Sequence, residues 1–238
     1  MRRLLVRPPI QQTSSAWATS SYNKRTMYNP SHFAEERTEV LHSFIRQHPF
    51  AAIVSCGRDG PEATHVPLVL HPDTGPKGVL RCHMARANRQ WETVQSSPAV
   101  LAIVLGPEHY ITPSWYPSKR EHGKVVPTWN YVAVHVRGRA RLFEDRDALL
   151  SHLRTLTEQS EHALDTPWSI DDAPQEYLEA MSKAIIGIEI AIESMEGKWK
   201  VSQNRPEADR RGVVAGLDLI DSPSSIEMAR LVEERGGK

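Results

Sequence analysis

Cysteine is scarce: Cys56 and Cys82 are the only two in 238 residues. Two thiols cannot build a multi-bridge scaffold or a four-cysteine zinc site. The scarcity fits a reducing, cytoplasmic setting. Cys56 falls in an apolar strand, where a thiol is expected to be inert. No apolar run reaches the 18 or so residues a membrane-spanning helix needs. Neither charge sign is in excess, since Lys+Arg and Asp+Glu both number 29. A general attraction to nucleic acid or an anionic membrane therefore has no support. No glycine-rich phosphate loop follows a strand, and neither G-x-S-x-G nor H-E-x-x-H occurs. These absences argue against a classical nicotinamide domain, a serine hydrolase and a helix-borne zinc site.

The first 26 residues lack acidic side chains altogether while carrying Arg2, Arg3, Arg7, Lys24 and Arg25. With seven Ser or Thr, that composition suits a mitochondrial transit peptide. A structureless tail ahead of a start at Met27 reads the same way. Residues 1–26 are thus set apart as an extension. Residues 27–217 are expected to form the folded domain, and 218–238 a helical tail.

Within 27–217 the hydrophobic periodicity alternates between strand and helix. Val40, Leu41, Phe44 and Ile45 share one helical face. "FAAIVSCG" reads as a buried strand, "RDG" as a turn and "EATHVPLVL" as its hairpin partner. "VLRCHMA" and "AVLAIVLG" are further strands, with a short helix between them that stops before Pro98. "TWNYVAVHVRGRARLF" supplies one or two more. Asp145 is a plausible N-cap for a helix striped with Leu149, Leu150, Leu153 and Leu156. Ile186, Ile188, Ile190 and Ile192 alternate with Gly187, Glu189, Ala191 and Glu193, the pattern of a half-buried antiparallel strand. Ser224 and Glu227 are spaced as a capping box for a terminal helix. The class that follows is α+β, an antiparallel barrel or sheet with helices inserted and appended.

Chemistry concentrates in three stretches. "YITPSWYPSKREHGKVVPTWNYVAV" holds Tyr110, Trp115, Tyr116, Trp129 and Tyr131, with three prolines that forbid one continuous strand or helix. It offers flat walls, the hydroxyls of Thr112, Ser114 and Thr128, the cation Lys119 and the amide Asn130. "RCHMARANRQW" places Arg81, His83, Arg86, Asn88 and Trp91 at a strand-to-helix junction, where an anion is favoured. "EGKWKVSQNR" mixes Lys198, Trp199, Lys200, Gln203 and Arg205, a composition suited to nucleic-acid contact or to a simple turn after the isoleucine strand. A flat anionic cofactor such as FMN needs these ingredients: cations for phosphate, polar groups along the chain and apolar walls for the ring. Closing a barrel corner or a dimer face would use the same aromatics. The scattered histidines show no metal-ligand spacing.

"MYNPSHF", "EATHVPLVL", "HMARANRQW", "SWYPSK", "HGKVVPTWNY" and "KWKVSQNR" together resemble the PaiB family of FMN-binding negative transcriptional regulators. The resemblance runs from Met27 to about Leu217. It implies an FMN-binding split barrel, a fold similar to the pyridoxamine phosphate oxidases and flavin reductases, and typically a homodimer with FMN at the subunit interface. The implied cofactor contacts are His65, Arg81, His83, Arg86, Asn88, Ser114, Trp115, Tyr116, Lys119, Thr128, Trp129, Asn130, Lys198 and Gln203. Arg81–Asn88 would sit toward the phosphate and the aromatic loop toward the ring. No obligatory acid or base stands out, though His65, His122 and Tyr116 are candidates for proton transfer. The alternatives to a flavin-dependent oxidoreductase or flavin-responsive protein are a regulator acting directly on DNA and a haem-handling split barrel.

Overall fold

The computed structural model describes residues 27–236; the 1–26 extension lies outside them. A single antiparallel sheet carries the fold, with strands β1 (Ala34–Glu35), β2 (Phe50–Gly57), β3 (Gly60–Pro67), β4 (Val69–His71), β5 (Val79–Ala85), β6 (Ala99–Ile111), β7 (Thr128–Phe143) and β8 (Ile185–Lys200). The order across the sheet is β3-β2-β6-β7-β8-β5-β4, with β1 added beside β8. The two edge strands, β3 and β4, are separated in sequence by Leu68 alone. A flat sheet could not join its own edges through one residue. The sheet must therefore curl into a barrel that stays split between β3 and β4.

Strand parity decides what fills the barrel. Ile53, Ala102, Val104, Val134, Val136, Ile186, Ile188 and Ile190 are fully buried; Ile53, Ala102 and Val136 share one rung and Val104 and Val134 another, while Ile186, Ile188 and Ile190 sit opposite Met84, Cys82 and Leu80 of β5. Burying each Ile or Val side chain contributes about 1.5–3 kcal/mol. Helix α1 (Thr38–Gln47) buries Leu41, Phe44 and Ile45, the stripe seen in the sequence. Helix α2 (Gln90–Ser96) plugs one end, where the Gln90 amide donates to the carbonyls of Ile53 and Glu62 and to Ser55. A short α3 (Ser118–His122) follows the aromatic loop. Helix α4 (Arg146–Glu161), capped by Asp145 as expected, lies over the outer face of β5, and α5 (Gln175–Lys183) precedes β8.

Three local expectations change. "EGKWK" is not a turn but the last stretch of β8, which pairs with β7 as far as Lys200. The isoleucine strand is not half-buried at its start, because Gly187 and Glu189 are covered as well. Phe143 of β7 lies directly on Gly187, where an added Cβ would come within 2.3 Å of the ring. The terminal helix is capped by Ser222, which accepts from Ser225, rather than by Ser224; the Ser224 hydroxyl donates to the Glu108 carbonyl instead. That helix, α7 (Pro223–Arg235), packs with α6 (Glu207–Asp218) and buries Met228, Ala229, Leu231 and Val232 in the common core. Among the described residues no helix lies over the outer face of β2, β3, β6 and β7: Phe50, Leu105 and Trp129 are each more than half exposed.

Candidate functional site

The strand-to-helix junction divides into two environments. On β5, Leu80, Cys82 and Met84 point into the barrel, so Arg81 and His83 point outward beneath α4. Burial pushes the Cys82 thiol up to about 12; Cys56, by contrast, is exposed. Glu189 takes the Nε of Arg81 at 2.8 Å and that of Arg141 at 2.7 Å. Burial pulls the Glu189 carboxyl upward, but the two guanidiniums outweigh it and hold its pKa below the ordinary range. The Arg81 guanidinium also lies 5.5 Å from the Phe143 ring centre. Nδ1 of His83 and Nε2 of His152, on α4, share one hydrogen bond at 3.1 Å. His83 thus seats α4 on the sheet, while Arg81 ties β5 to Glu189 of β8.

Arg86 and Asn88 lie past the end of β5, outside that seal. Arg86 donates to the Lys183 carbonyl at 3.0 Å and to Glu144 at 2.7 Å. It lines a cavity of about 600 Å³ with Leu149, Ser182 and Lys183. The Asn88 amide donates to Thr64 at 2.8 Å, and its carbonyl oxygen accepts from the Gln90 amide at the start of α2. His65, the residue after Thr64, is exposed on the uncovered sheet face and stacks on Phe50 at 6.1 Å. Arg86, Asn88, Thr64 and His65 therefore share one edge of the barrel.

The aromatic loop is held from behind by α6. Thr112 caps a 3₁₀ turn, Pro113–Trp115, and the Trp115 ring lies flat against Gly216. An added Cβ at Gly216 would come within 2.3 Å of the indole, and one at Gly212 within 2.0 Å of the Trp115 carbonyl oxygen. The buried Asp209 accepts from both the backbone amide and the hydroxyl of Ser118, at 3.1 and 2.7 Å, and so fixes the start of α3. Tyr116 is buried, which raises the pKa of its hydroxyl, and the Arg205 guanidinium sits 5.0 Å from its ring centre. Asn130 is buried too, bonded to Ser202 at 2.9 Å. Gln203 donates to the Trp199 carbonyl and accepts from the Val201 amide, shaping the turn after β8. His122 Nδ1 accepts from the Lys124 amide.

Other loop groups face outward. Lys119 reaches the Ser114 hydroxyl at 3.2 Å in solvent. Trp129 is 53% exposed and meets Tyr110 edge to face at 6.0 Å. Thr128 accepts from Lys200 at 2.5 Å, and Lys198 donates to the Tyr28 carbonyl at 2.7 Å. Four contributors escaped the sequence reading: Thr64, Glu189, Arg141 and His152. The first three become visible only once strand register is known, and His152 looks like any polar residue on a leucine-striped helix. Among the described residues no group of three or more His, Cys, Asp or Glu is placed to hold a metal ion.

Because an added methyl at Gly216 must displace the indole, Gly216→Ala is expected to cost about 1–3 kcal/mol. Urea denaturation would read the loss, together with a red shift in tryptophan emission as Trp115 is freed. An unchanged midpoint would show that α6 can yield at this point.

The curled antiparallel sheet with flanking helices defines a split barrel. Residues 27–194 match the family described as "Putative FMN-binding domain". The chain is 34% identical over 209 residues to protease synthase and sporulation protein PAI 2 of Bacillus subtilis, covering 88% of this chain and 98% of that protein. It is also 34% identical over 245 residues to the uncharacterized protein AN0679 of Emericella nidulans, with the same coverage. The chain belongs to this PaiB-type family of FMN-binding split barrels. Among solved structures, the FAD and haem binding protein of Mycobacterium smegmatis superposes with a TM-score of 0.53 at 14% identity, covering 77% of this chain and 80% of that one. The conserved hypothetical protein Rv2991 of Mycobacterium tuberculosis gives 0.52 at 13% identity, covering 76% and 95%.

Proposed function

We propose that the chain is a flavoprotein that binds FMN between two copies of itself. The observation that carries this reading is the uncovered sheet face. It runs from Phe50 and His65 across Leu101, Ile103 and Leu105 to Tyr110 and Trp129, apolar in its middle, where Leu101 and Ile103 are partly exposed and Leu105 is 64% exposed. A contiguous apolar face of this kind marks an interaction surface. Its two polar ends stand far apart on one subunit. Thr64 shares a rung with Ile53, Ala102 and Val136, and Trp129 lies seven residues beyond Val136. At a rise of about 3.3 Å and a strand spacing of about 4.8 Å, that is roughly 25 Å. One flavin cannot bridge it. Two subunits packed face to face with opposite polarity bring one copy's Arg86 edge toward the other's aromatic end.

The residues present fit such a group. Arg86 keeps one face toward solvent, and Asn88 with Thr64 supplies polar atoms at the phosphate edge. Thr128, Ser114 and Lys119 supply them at the other end, with the exposed Trp129 as a wall. Bound FMN would supply electron-transfer chemistry, the protein positioning and tuning it. His65 is the exposed group best placed for proton exchange with a ligand on this face, since Tyr116 is buried and His122 is engaged by the loop backbone.

Purified protein is expected to be yellow, or to take up FMN, and to elute as a dimer. Preference for haem over FMN would overturn the assignment. A charge-assisted phosphate contact is worth about 1.5–3 kcal/mol. Arg86→Ala should therefore weaken FMN by roughly ten- to a hundred-fold, and unchanged affinity would remove Arg86 from the site.

Direct action on DNA is a second reading, favoured by the basic stretch Lys198–Arg205 alone. With net charge zero, duplex DNA should bind weakly and without sequence preference at physiological salt. Fluorescence anisotropy showing nanomolar, sequence-selective binding would make that reading primary.

A further inference from the structure

Helix α4 and the segment after it enclose a groove that the flavin reading does not use. One wall is the α4 face carrying Leu150, Arg154, Thr157, Glu158 and Glu161, spaced at helical intervals. The other is formed by residues 167–173 with Gln175 and Leu178 of α5. Two cavities of about 240 and 250 Å³ join along it, sharing Arg154 and Ile170. Local capping builds the second wall: Ser169 and Asp172 form a capping box around the 3₁₀ turn Ile170–Asp172, which buries Ile170. Glu161 accepts from the Trp168 amide at 3.0 Å, and the Trp168 side chain stays 47% exposed.

The groove is acidic and short of free cations. Residues 144–182 hold ten Asp or Glu against two Arg. Both arginines are already engaged, Arg146 with Glu179 at 2.8 Å and Arg154 with Asp171. Among the described residues, Glu158, Glu161, Asp165, Asp172 and Glu176 have no cation within ion-pairing distance. An apolar floor beside unpaired carboxylates suits a segment that is both cationic and apolar. The larger cavity between α6 and α7 is of mixed sign, because Arg210 and Arg211 line it with Glu207, Asp218 and Glu233.

This chain carries such a segment. The 1–26 extension has five of the 29 Lys and Arg and none of the 29 Asp and Glu, so residues 27–238 carry five more acids than bases. Its first ten residues, "MRRLLVRPPI", set Arg2, Arg3 and Arg7 around Leu4, Leu5 and Val6. Length permits the reach. The Met27 amide donates to Glu196 at 3.1 Å, and Glu196 lies eleven residues along β8 from Ile185, just past the end of α5. That separation is about 36 Å at the strand rise. Residues 11–26 span up to about 53 Å when extended.

We propose that residues 1–10 dock in the α4–α5 groove of their own chain, the arginines meeting Glu158 and Glu161 and the leucines covering Ile170 and Trp168. Docked, the segment withholds both its basic residues and this face from any partner that reads either one. The contact rests on charge and shape at α4 and stands whether or not FMN is the cofactor.

Trypsin acting on the full chain tests it, because cleavage after Arg3 tracks the undocked population when docking is fast. At physiological salt, cleavage there should be about five- to tenfold faster in Glu158→Gln/Glu161→Gln than in the parent, the range for losing two surface ion pairs. Glutamine keeps an oxygen for the Trp168 amide, and circular dichroism melts confirm that the variant is folded. Arg7→Gln, which leaves α4 and α5 untouched, should speed cleavage about threefold. Asp59→Asn/Asp73→Asn, which removes the same charge at exposed acids away from the groove, should be cleaved as the parent is. Salt at about 1 M should erase the difference between parent and groove variant. Carbodiimide coupling of the full chain, mapped by mass spectrometry, should join the Met1 amine to Glu158 or Glu161 within one chain. Equal cleavage of the parent and the folded groove variant would overturn the proposal. So would coupling of Met1 only to a second chain, or only to acids outside the groove. FMN titration bears on the flavin reading alone, so the two readings fail separately.

Discussion

Replacing Glu35 with alanine should lower the stability of the folded protein by about 3 kcal/mol or more, the range seen when one partner of a buried ion pair is removed. Glu35 is 4% exposed and its carboxylate is shared. Arg37 donates through Nε at 2.9 Å and through a terminal nitrogen at 2.6 Å. Arg235, 200 residues away at the end of α7, donates at 2.7 Å. Hydrogen bonding from Arg37 dominates, working against burial, and with Arg235 it holds the carboxyl at about 2. Arg235 also lies 4.9 Å from the Trp199 ring centre, and Trp199 meets Phe44 edge to face at 5.2 Å. Glu35 therefore clamps the first strand, the end of β8 and the last helix together. Without it Arg37 simply re-solvates, whereas the less exposed Arg235 loses its carboxylate. The urea midpoint should fall with little change in slope, and pairing Glu35→Ala with Arg235→Met should recover part of the loss. Additive losses in the double variant would show that the two ends of the chain are not coupled through this pair.

Acidification should destabilise the protein through His152 by about 3 kcal/mol between pH 6.5 and 4. The shift from 6.5 to about 4 is set first by burial, then by His83, Arg81 and His71. Burial likewise lowers the pKa of His83 and His71. A base with a depressed folded pKa binds its proton more readily in the unfolded chain. Stability is therefore complete above the unfolded value of 6.5 and falls as pH drops toward 4, with no further loss from this group below that. The groups facing His152 are His71 on β4, Arg81 and His83 on β5 and Phe143 on β7. Glu189 adds a separate loss at lower pH, since its pKa is held below the ordinary carboxylate value. Denaturation at pH 7.5, 5.5 and 4.5, read against the flat response expected above about pH 6.5, would trace the decline. In His152→Gln, which does not titrate, the decline over that window should shrink, leaving the part carried by His83 and His71. The same acid slope in both proteins would place the sensitivity elsewhere.

The α+β class, the β2–β3 hairpin, the leucine-striped α4 with its Asp145 cap and the strand character of Ile186–Ile192 were legible in the sequence. Each rests on a short-range pattern, a period of 2 or 3.6 or a capping residue, that needs no knowledge of the rest of the chain. The family motifs were equally legible, because they are contiguous strings. The candidate site was legible only as composition. Arg81 and Arg86 are five residues apart in one motif, yet the end of β5 falls between them. Strand parity turns Arg81 under α4, and the junction leaves Arg86 at an open edge. Tyr116 and Trp129 both belong to an aromatic-rich stretch, but Pro113 and Pro117 fold the first against α6 while β7 presents the second to solvent.

What the sequence determined by itself was therefore which segments form strands and helices, which residue types the chain carries for chemistry, and its family. Tertiary structure alone decided which of those residues share a face. The single-residue link at Leu68 forces the sheet to curl, and β8 pairs with β7 out to Lys200. Those long-range pairings set the register that hides Asn130, lines up Lys198 and Lys200 over Tyr131, and brings Arg235 back to Glu35. A shift of one residue in any strand would turn its side chains to the opposite face, and no local pattern records which register the partner strands impose.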